Sequence, residues 1–245
     1  MSPEETSSIA ANWAFLGADM HSHFLPGIDD GAKNLEEGLA LVKAMANMGY
    51  KTLITTPHTM IDFYPNTTGT ITEAYHVLKA AIEAEAIPIK LRAASEYYID
   101  EHFVQLLEKE PLLTVYKNEV LVEFSMLCPP PMLNEVLFKM ISSGYKPIIA
   151  HPERYAYFSH QFAKFTELRD RGCLFQLNML SICGYYGRSI RDVAMELLRK
   201  NMYDYCGSDM HNLRHATTLH NMIGTKDYDT FVQYPFLNPR LCLEN

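Results

Sequence analysis

Short apolar runs alternate with amphipathic segments along most of the chain, and this alternation constrains the fold more than any other feature. Seven runs predict strands, at residues 15–20, 51–55, 89–94, 119–123, 147–150, 173–177 and 202–206. Segments with helical spacing of apolar residues follow them. Strands that alternate with helices predict an α/β fold with a parallel sheet and helices outside it. Seven units indicate a barrel-like closure, although an open doubly wound sheet would satisfy the same pattern.

Capping residues mark the predicted helix starts. Asn34 with Glu37 predicts a capping box for the first helix, which Gly49 ends, and Thr70 with Glu73 predicts a second box. Further helices are predicted at about 101–108, before Gly144, and at about 160–171, 189–200 and 215–223. Residues from 226 onward show no firm pattern.

Composition narrows the class of protein. A length of 245 residues with 48% hydrophobic and 20% charged residues predicts one globular domain over 1–245, with 1–14 as an N-terminal extension. No apolar run approaches the ~18 residues of a membrane span, and the first residues lack the basic start of a signal peptide. A net charge of −8 without a basic stripe argues against nucleic acid as a partner. Five cysteines without Cys-x-x-Cys favour a reduced, cytoplasmic protein.

The first predicted strand runs into a segment rich in metal-ligand residue types, Asp19 to Gly31. His21 and His23 follow the strand, and in extended backbone residues i and i+2 point to the same side, so both imidazoles can reach one ion. The turn at Pro26-Gly27 brings Asp29 and Asp30 back towards them.

Six of the seven predicted strands end in such residues. In parallel α/β barrels the carboxyl ends of the strands meet on one face, where active sites form. The candidate ligands, with Asp30, are His21, His23, His58, Glu96, Glu123, His151, Asp209 and His211. The other histidines, interpreted as surface residues without a role, are His76, His102, His160, His215 and His220.

This ligand set predicts a multinuclear metal centre. Histidine and carboxylate ligands without cysteine suit Mn, Zn or Fe. Five histidines and four carboxylates are too many for one ion, so two or three divalent ions with a bridging carboxylate are expected. Ions about 3.5–4 Å apart are a common device for phosphate ester hydrolysis.

The motifs together resemble the PHP (polymerase and histidinol phosphatase) superfamily. They are His21-Ser-His-Phe-Leu-Pro-Gly-Ile-Asp-Asp-Gly, Thr-Pro-His58, Glu96-Tyr-Tyr, Glu123-Phe-Ser, His151-Pro-Glu-Arg-Tyr and Ser-Asp-Met-His-Asn212. The first and fifth are similar to the bacterial tyrosine-phosphatase branch associated with capsule and exopolysaccharide synthesis. The resemblance spans Asp19 to Asn212 and implies a distorted seven-stranded TIM-like barrel.

The resemblance also implies roles for the ligands. One ion would bind His21, His23, Glu96 and Asp209, a second Asp30, His58 and His211, and a third Glu96, Glu123 and His151. Manganese is the expected metal, with iron or zinc as alternatives. Arg154 matches a phosphate-binding arginine of the family, and Arg214 lies near the position of a second one, with shorter spacing.

The resulting hypothesis is a protein-tyrosine phosphatase that regulates capsular or exopolysaccharide synthesis. A hydroxide bridging two ions would attack phosphorus in line while Arg154 clamps the phosphoryl oxygens. The substrate would be a phosphotyrosine protein, such as a tyrosine kinase of polysaccharide synthesis. A cysteine-based mechanism is excluded, because no cysteine is followed six residues later by arginine.

Other interpretations remain open at the level of the sequence. A phosphatase for histidinol phosphate or another small phosphomonoester would share the ligands. An exonuclease is disfavoured, because the basic surface that nucleic-acid binding needs is missing. A metal-binding regulatory scaffold is the non-enzymatic alternative, and an oligomer is compatible with the sequence.

Overall fold

The computed structural model describes residues 12–159 and 161–243. Most of the predicted extension at 1–14 therefore lies outside the described residues, and so does His160. The strands are β1 Ala18–Asp19, β2 Thr52–Thr55, β3 His58–Thr59, β4 Lys90–Ala93, β5 Glu96–Tyr98, β6 Glu119–Glu123, β7 Lys146–Ala150, β8 Leu174–Asn178 and β9 Tyr205–Gly207. The α-helices are α1 Leu35–Asn47, α2 Thr68–Ala84, α3 Glu101–Lys109, α4 Leu133–Ser142, α5 Phe162–Asp170, α6 Met179–Ile182, α7 Arg188–Arg199, α8 Leu213–Met222 and α9 Lys226–Gln233.

The strands form two parallel sheets, which confirms the predicted α/β class. One sheet has the order β1-β2-β4 and the other the order β3-β5-β6-β7-β8-β9. Two predicted strands, observed as β2 and β4, are each followed after a short break by a second strand, β3 or β5, so the chain runs twice from one sheet into the other. Pro57 lies in the first break, where a residue without an N–H cannot donate to a ladder.

The two sheets also approach each other between β1 and β9. Asp209 N donates to His21 O at 2.8 Å, and Ser22 pairs with Met210 in an isolated parallel bridge. Ser208 donates through both its backbone N–H and its hydroxyl to the buried Asp19 carboxylate, at 2.8 Å each. These contacts place the residues that follow β1 beside those that follow β9.

Helix α1 begins where the sequence predicts. The Asn34 side chain accepts from Glu37 N at 3.0 Å, while the Glu37 carboxylate accepts from Lys33 N instead of closing the reciprocal bond. The second predicted capping box, Thr70 with Glu73, is wrong, because α2 begins one turn earlier in the chain. Thr67 caps α2 and exchanges hydrogen bonds with Thr70. Two threonines three residues apart provide the same pair of bonds as the expected Thr and Glu.

The C-terminal region has structure that the sequence pattern did not indicate. Helix α9 is followed by a 3₁₀ turn at Asn238–Cys242. Leu241 is fully buried there, in a cluster with Ala18, Ile54 and Leu121 from the sheet interior. The segment therefore covers the interior at the end of the strands opposite the candidate site. No helix within the described ranges is long and apolar enough to cross a membrane.

Candidate functional site

His21 and His23 lie side by side beyond β1. Both are fully buried, and their Nε2 atoms are 3.3 Å apart. His23 N donates to Met210 O at 3.0 Å, which keeps this backbone extended against the segment after β9. Extended backbone turns side chains at i and i+2 to one side, so both imidazoles face the same point.

Asp29 holds His23 in orientation. Its Oδ2 atom lies 2.7 Å from His23 Nδ1 and accepts from His58 N at 3.2 Å. Its Oδ1 atom accepts from Gly31 N at 3.0 Å. Gly31 is required here, because a Cβ at this position would overlap with the backbone of His23.

Eight of the nine predicted ligands fall into three overlapping groups. In each group the donor atoms lie within 4.8 Å of one another. The groups are His21, His23, Glu96 and Asp209; His23, Asp30, His58 and His211; and His58, Glu96 and Glu123. His151 lies beside the third group, with Nε2 at 3.1 Å from Glu96 Oε1 and 4.0 Å from Glu123 Oε2. Glu96 contributes to two groups, as a bridging carboxylate would.

The direction of the donors fits a cation. His21 Nδ1 is 2.9 Å from Gln176 Oε1 and His23 Nδ1 is 2.7 Å from Asp29, so each Nδ1 is placed to donate its proton outward. That tautomer leaves both Nε2 lone pairs facing the Asp209 carboxylate at 3.3 Å. Lone pairs that converge on carboxylate oxygens repel each other unless a positive charge lies between them.

The electrostatics agree with this arrangement. Burial lowers the pKa of His58, but the carboxylates of Glu96 and Glu123 outweigh it and raise that pKa to about 9. Burial raises the pKa of Asp30, yet the His211 hydrogen bond and the positive charges of His211 and His58 bring it down to about 2. The His58 shift shows that the carboxylates create a field that favours positive charge at its imidazole, and a divalent ion satisfies the same field.

Two site residues adopt backbone conformations that are uncommon for residues with a side chain. His151 has φ of 33° and Asp209 has φ of 48°, both in the left-handed region. Such strain persists only where the surroundings enforce it, and it is frequent at functional sites. Both residues lie just beyond the carboxyl end of a strand, His151 after β7 and Asp209 after β9.

Arg154 lies against this cluster. Its Nη1 donates to Asp209 Oδ2 at 2.9 Å, and its guanidinium lies 4.4 Å from the centre of the Tyr186 ring. Asn178 Nδ2 donates to the same Asp209 oxygen at 2.8 Å and lies 3.3 Å from the Tyr186 hydroxyl. The arginine is thus fixed on one side by a ring face and on another by a carboxylate.

Arg214 is placed differently. It is exposed on the first turn of α8, and its guanidinium lies over the Tyr185 ring at 5.6 Å. Arg154 lines the cavity above the ligand cluster, whereas Arg214 does not.

That cavity has a volume of about 540 Å³. Its lining includes six of the predicted ligands and Arg154, so a substrate within it meets the metal-ligand cluster and the arginine together. The ligands among the lining residues are Asp30, His58, Glu123, His151, Asp209 and His211.

The sequence interpretation missed several residues that support the site. Gln176 orients His21 and also accepts from His151 N at 3.2 Å. Glu153 is fully buried and accepts from Asn178 N, Ser181 Oγ and Tyr203 OH. For Gln176, the only signal in the sequence is that a polar residue interrupts the apolar run of strand β8.

The sequence interpretation of His215 as a surface residue is wrong. This histidine is buried, lines the cavity, and its Nδ1 lies 3.3 Å from Asp209 O. Its position at the start of α8, next to the loop after β9, explains the difference.

The chain matches a known protein family over most of its length. The family profile described as capsular polysaccharide synthesis, CpsB/CapC, matches residues 17–223. The chain belongs to the CpsB/CapC family. The predicted resemblance to the capsule-associated branch is therefore confirmed.

Curated relatives of this CpsB/CapC chain are named as phosphatases. Tyrosine-protein phosphatase YwqE of Bacillus subtilis (strain 168) is 28% identical over 197 residues, which cover 80% of this chain and 78% of YwqE. Tyrosine-protein phosphatase CpsB of Streptococcus agalactiae serotype V is 26% identical over 201 residues, covering 80% and 83%.

Solved structures agree with the fold. A structure from crystallographic work on YwqE from Bacillus subtilis and CpsB from Streptococcus pneumoniae, described as metal-dependent tyrosine phosphatases, matches with a TM-score of 0.78 and 26% identity. The match covers 92% of this chain and 94% of that one. A histidinol phosphate phosphatase from Lactococcus lactis shares the fold, with a TM-score of 0.54, 12% identity and coverage of 89% and 95%.

Proposed function

We propose that this CpsB/CapC chain is a metal-dependent protein-tyrosine phosphatase that regulates capsular or exopolysaccharide synthesis. The observation that carries the proposal is the convergence of overlapping His and carboxylate groups with one arginine on a single cavity. The phosphatase names of YwqE and CpsB support it.

The cofactor would be two or three divalent ions, with manganese first and iron or zinc as alternatives. The residues proposed to hold them are His21, His23, Asp30, His58, Glu96, Glu123, His151, Asp209 and His211. When bound, such ions lower the pKa of coordinated water and neutralise phosphoryl oxygens.

Arg154 is proposed to bind the phosphoryl group. Its guanidinium is already fixed by Asp209 and Tyr186, so little side-chain freedom is lost when it pairs with phosphate oxygens in a two-pronged contact. Arg214 stays a prediction as a second phosphate ligand, because it lies outside the cavity lining.

The proposed substrate is phosphotyrosine in a protein, for example in a tyrosine kinase of polysaccharide synthesis. A tyrosine phenolate has a pKa near ~10 and leaves with less protonation than the alkoxide of serine or histidinol. Tyrosine phosphate therefore places the smaller demand on a general acid.

For the whole domain over residues 1–245 we propose a distorted seven-stranded barrel. If the pairs β2 with β3 and β4 with β5 each count as one position, the strands occupy seven positions, and hydrogen bonds join the ends of β1 and β9. A cytoplasmic location, based on the cysteine pattern, stays a prediction.

Phosphate release tests the function directly. The protein is stripped with chelator, reloaded with Mn²⁺, and assayed with a tyrosine-phosphorylated peptide and with histidinol phosphate. Mn-dependent release from the peptide, lost in His151→Ala and retained in His220→Ala, is expected. His220 is exposed on α8, so its variant controls for the loss of a histidine.

Other outcomes point to the alternative functions. Release chiefly from histidinol phosphate would assign the chain to small-molecule metabolism. Retention of metal without either activity would indicate a regulatory scaffold.

A further inference from the structure

The catalytic cavity has two chemically different sides. The polar side contains Arg154, Asp209, His211, Asn212 and His215. A second set of lining residues is largely apolar and consists of Met60, Tyr98, Phe124 and Met126. These four residues end or follow β3, β5 and β6, which are consecutive neighbours in the six-stranded sheet. Together with Ser125 and the candidate ligands His58 and Glu123, they form the wall of the cavity at this part of the sheet.

This wall continues onto the outer surface. Ile61 and Phe63, beyond Met60, are 44% and 69% exposed, and Leu127, next to Met126, is 91% exposed. We call Ile61, Phe63 and Leu127 the apolar rim. Single exposed apolar residues are ordinary, but a set that borders a concave site indicates an interaction surface.

The loops that present the apolar rim are held by hydrogen bonds. Met60 N donates to Tyr64 O at 3.0 Å and Tyr64 N donates to Met60 O at 2.7 Å, so a tight turn displays Phe63. Leu127 N donates to Ser125 Oγ at 3.2 Å. A surface that is already ordered loses little entropy when a partner binds.

We propose that the apolar rim is a docking surface for the polypeptide on either side of the phosphotyrosine. This inference rests on the proposed phosphatase function. With the phosphate at Arg154, the phenol ring lies along the wall formed by Met60, Tyr98, Phe124 and Met126. The peptide backbone then leaves the cavity at its mouth, where Phe63 and Leu127 meet apolar side chains that flank the phosphotyrosine. A small phosphomonoester does not extend that far, so the rim favours protein substrates.

The test compares a peptide with a small aryl phosphate. The variant Phe63→Ala/Leu127→Ala is assayed with a phosphotyrosyl peptide that has leucine on both sides of the phosphotyrosine, and with p-nitrophenyl phosphate. The control is Phe138→Ala, because Phe138 is 71% exposed on α4 and does not line the cavity. The ratio of kcat/KM for the peptide to that for p-nitrophenyl phosphate is expected to fall about fivefold or more in the double variant, chiefly through KM, as for truncated interface anchors. It is expected to stay at the wild-type value in Phe138→Ala.

Two results would overturn the docking surface. One is an unchanged ratio in the double variant. The other is a change from dimer to monomer in light scattering, which would make the rim a contact between two copies of this chain. The wild-type assay separates this inference from the proposed function. If the wild type hydrolyses both substrates and the ratio does not change, only the docking surface fails; if it hydrolyses neither, the phosphatase function fails and the docking surface fails with it.

Discussion

At the scale of single residues, Asp29 shows how a neighbour controls a proposed metal ligand, His23. Its carboxylate accepts a hydrogen bond from His23 Nδ1 and leaves Nε2 free for an ion. Loss of such a partner typically weakens metal affinity 10–100-fold. We expect Asp29→Asn to bind Mn²⁺ about tenfold more weakly by calorimetric titration, with activity recovered at high Mn²⁺. Asp62→Asn, on an exposed loop position, should bind like the wild type.

Tyr186 has a comparable role for Arg154. The ring face lies 4.4 Å from the guanidinium, and a cation–π contact of this kind contributes about 0.5–2 kcal/mol. We expect Tyr186→Leu to raise the inhibition constant of inorganic phosphate about threefold or more, whereas Tyr186→Phe keeps the ring and stays near the wild type. Equal losses in both variants would show that the hydroxyl near Asn178, and not the ring, is what matters.

Residue types predicted the ligand candidates better than their supporting residues. Few side chains can bind a metal, so His21, Glu96 or Asp209 at a strand end is conspicuous in the sequence. Gln176 and Asn178 act by hydrogen bonds to residues more than 20 positions away. An amide in an apolar strand does not reveal which distant residue it will meet, and that information exists only in the folded chain.

At the scale of elements, the loop after β1 depends on Gly31. A Cβ there would overlap with the carbonyl oxygen and Cβ of His23, and relief of such a clash typically costs about 1–3 kcal/mol or more. We expect Gly31→Ala to lower the unfolding midpoint and to weaken Mn²⁺ binding together. The control is Gly69→Ala within α2, where an added Cβ would lie 3.5 Å from its nearest atom. This variant should keep the wild-type unfolding midpoint and the wild-type Mn²⁺ affinity. Normal metal binding in Gly31→Ala would show that the loop can shift without moving His23.

Element type was easier to predict than element boundaries. The alternation of apolar and amphipathic segments indicated most of the strands and helices, because burial on one face imposes that periodicity. The breaks between β2 and β3 and between β4 and β5 have no such periodic signal, since they arise from the change of partner strand. The start of α2 was misplaced because Thr67 and Thr70 both have side chains that can cap a helix, and the sequence pattern does not say which of them does.

At the scale of the whole molecule, the sequence indicated the parallel sheet but gave no sign of how the C-terminal segment contributes. Residues after 226 have mixed polarity, yet Leu241 packs into the interior cluster with Ala18 and Leu121. A short 3₁₀ turn has no repeating pattern to detect. Its stability comes from contacts with strands distant in sequence, which composition and periodicity cannot reveal.

Asn238 joins β1 to β9, and its loss should affect the entire fold. Fully buried, it donates to Ala18 O at 3.0 Å and Cys206 O at 2.7 Å, and accepts from Cys206 N at 3.0 Å. Asn238→Ala leaves these backbone groups without their partner, which costs on the order of 3 kcal/mol of unfolding free energy. For a chain of this size that corresponds to a fall of about 6–12 °C in Tm. Asn221→Ala, on an exposed position of α8, is the control and should unfold like the wild type. If Asn238→Ala also unfolds at the wild-type temperature, β1 and β9 are held together by the contacts of Ser208 and Asp19 instead.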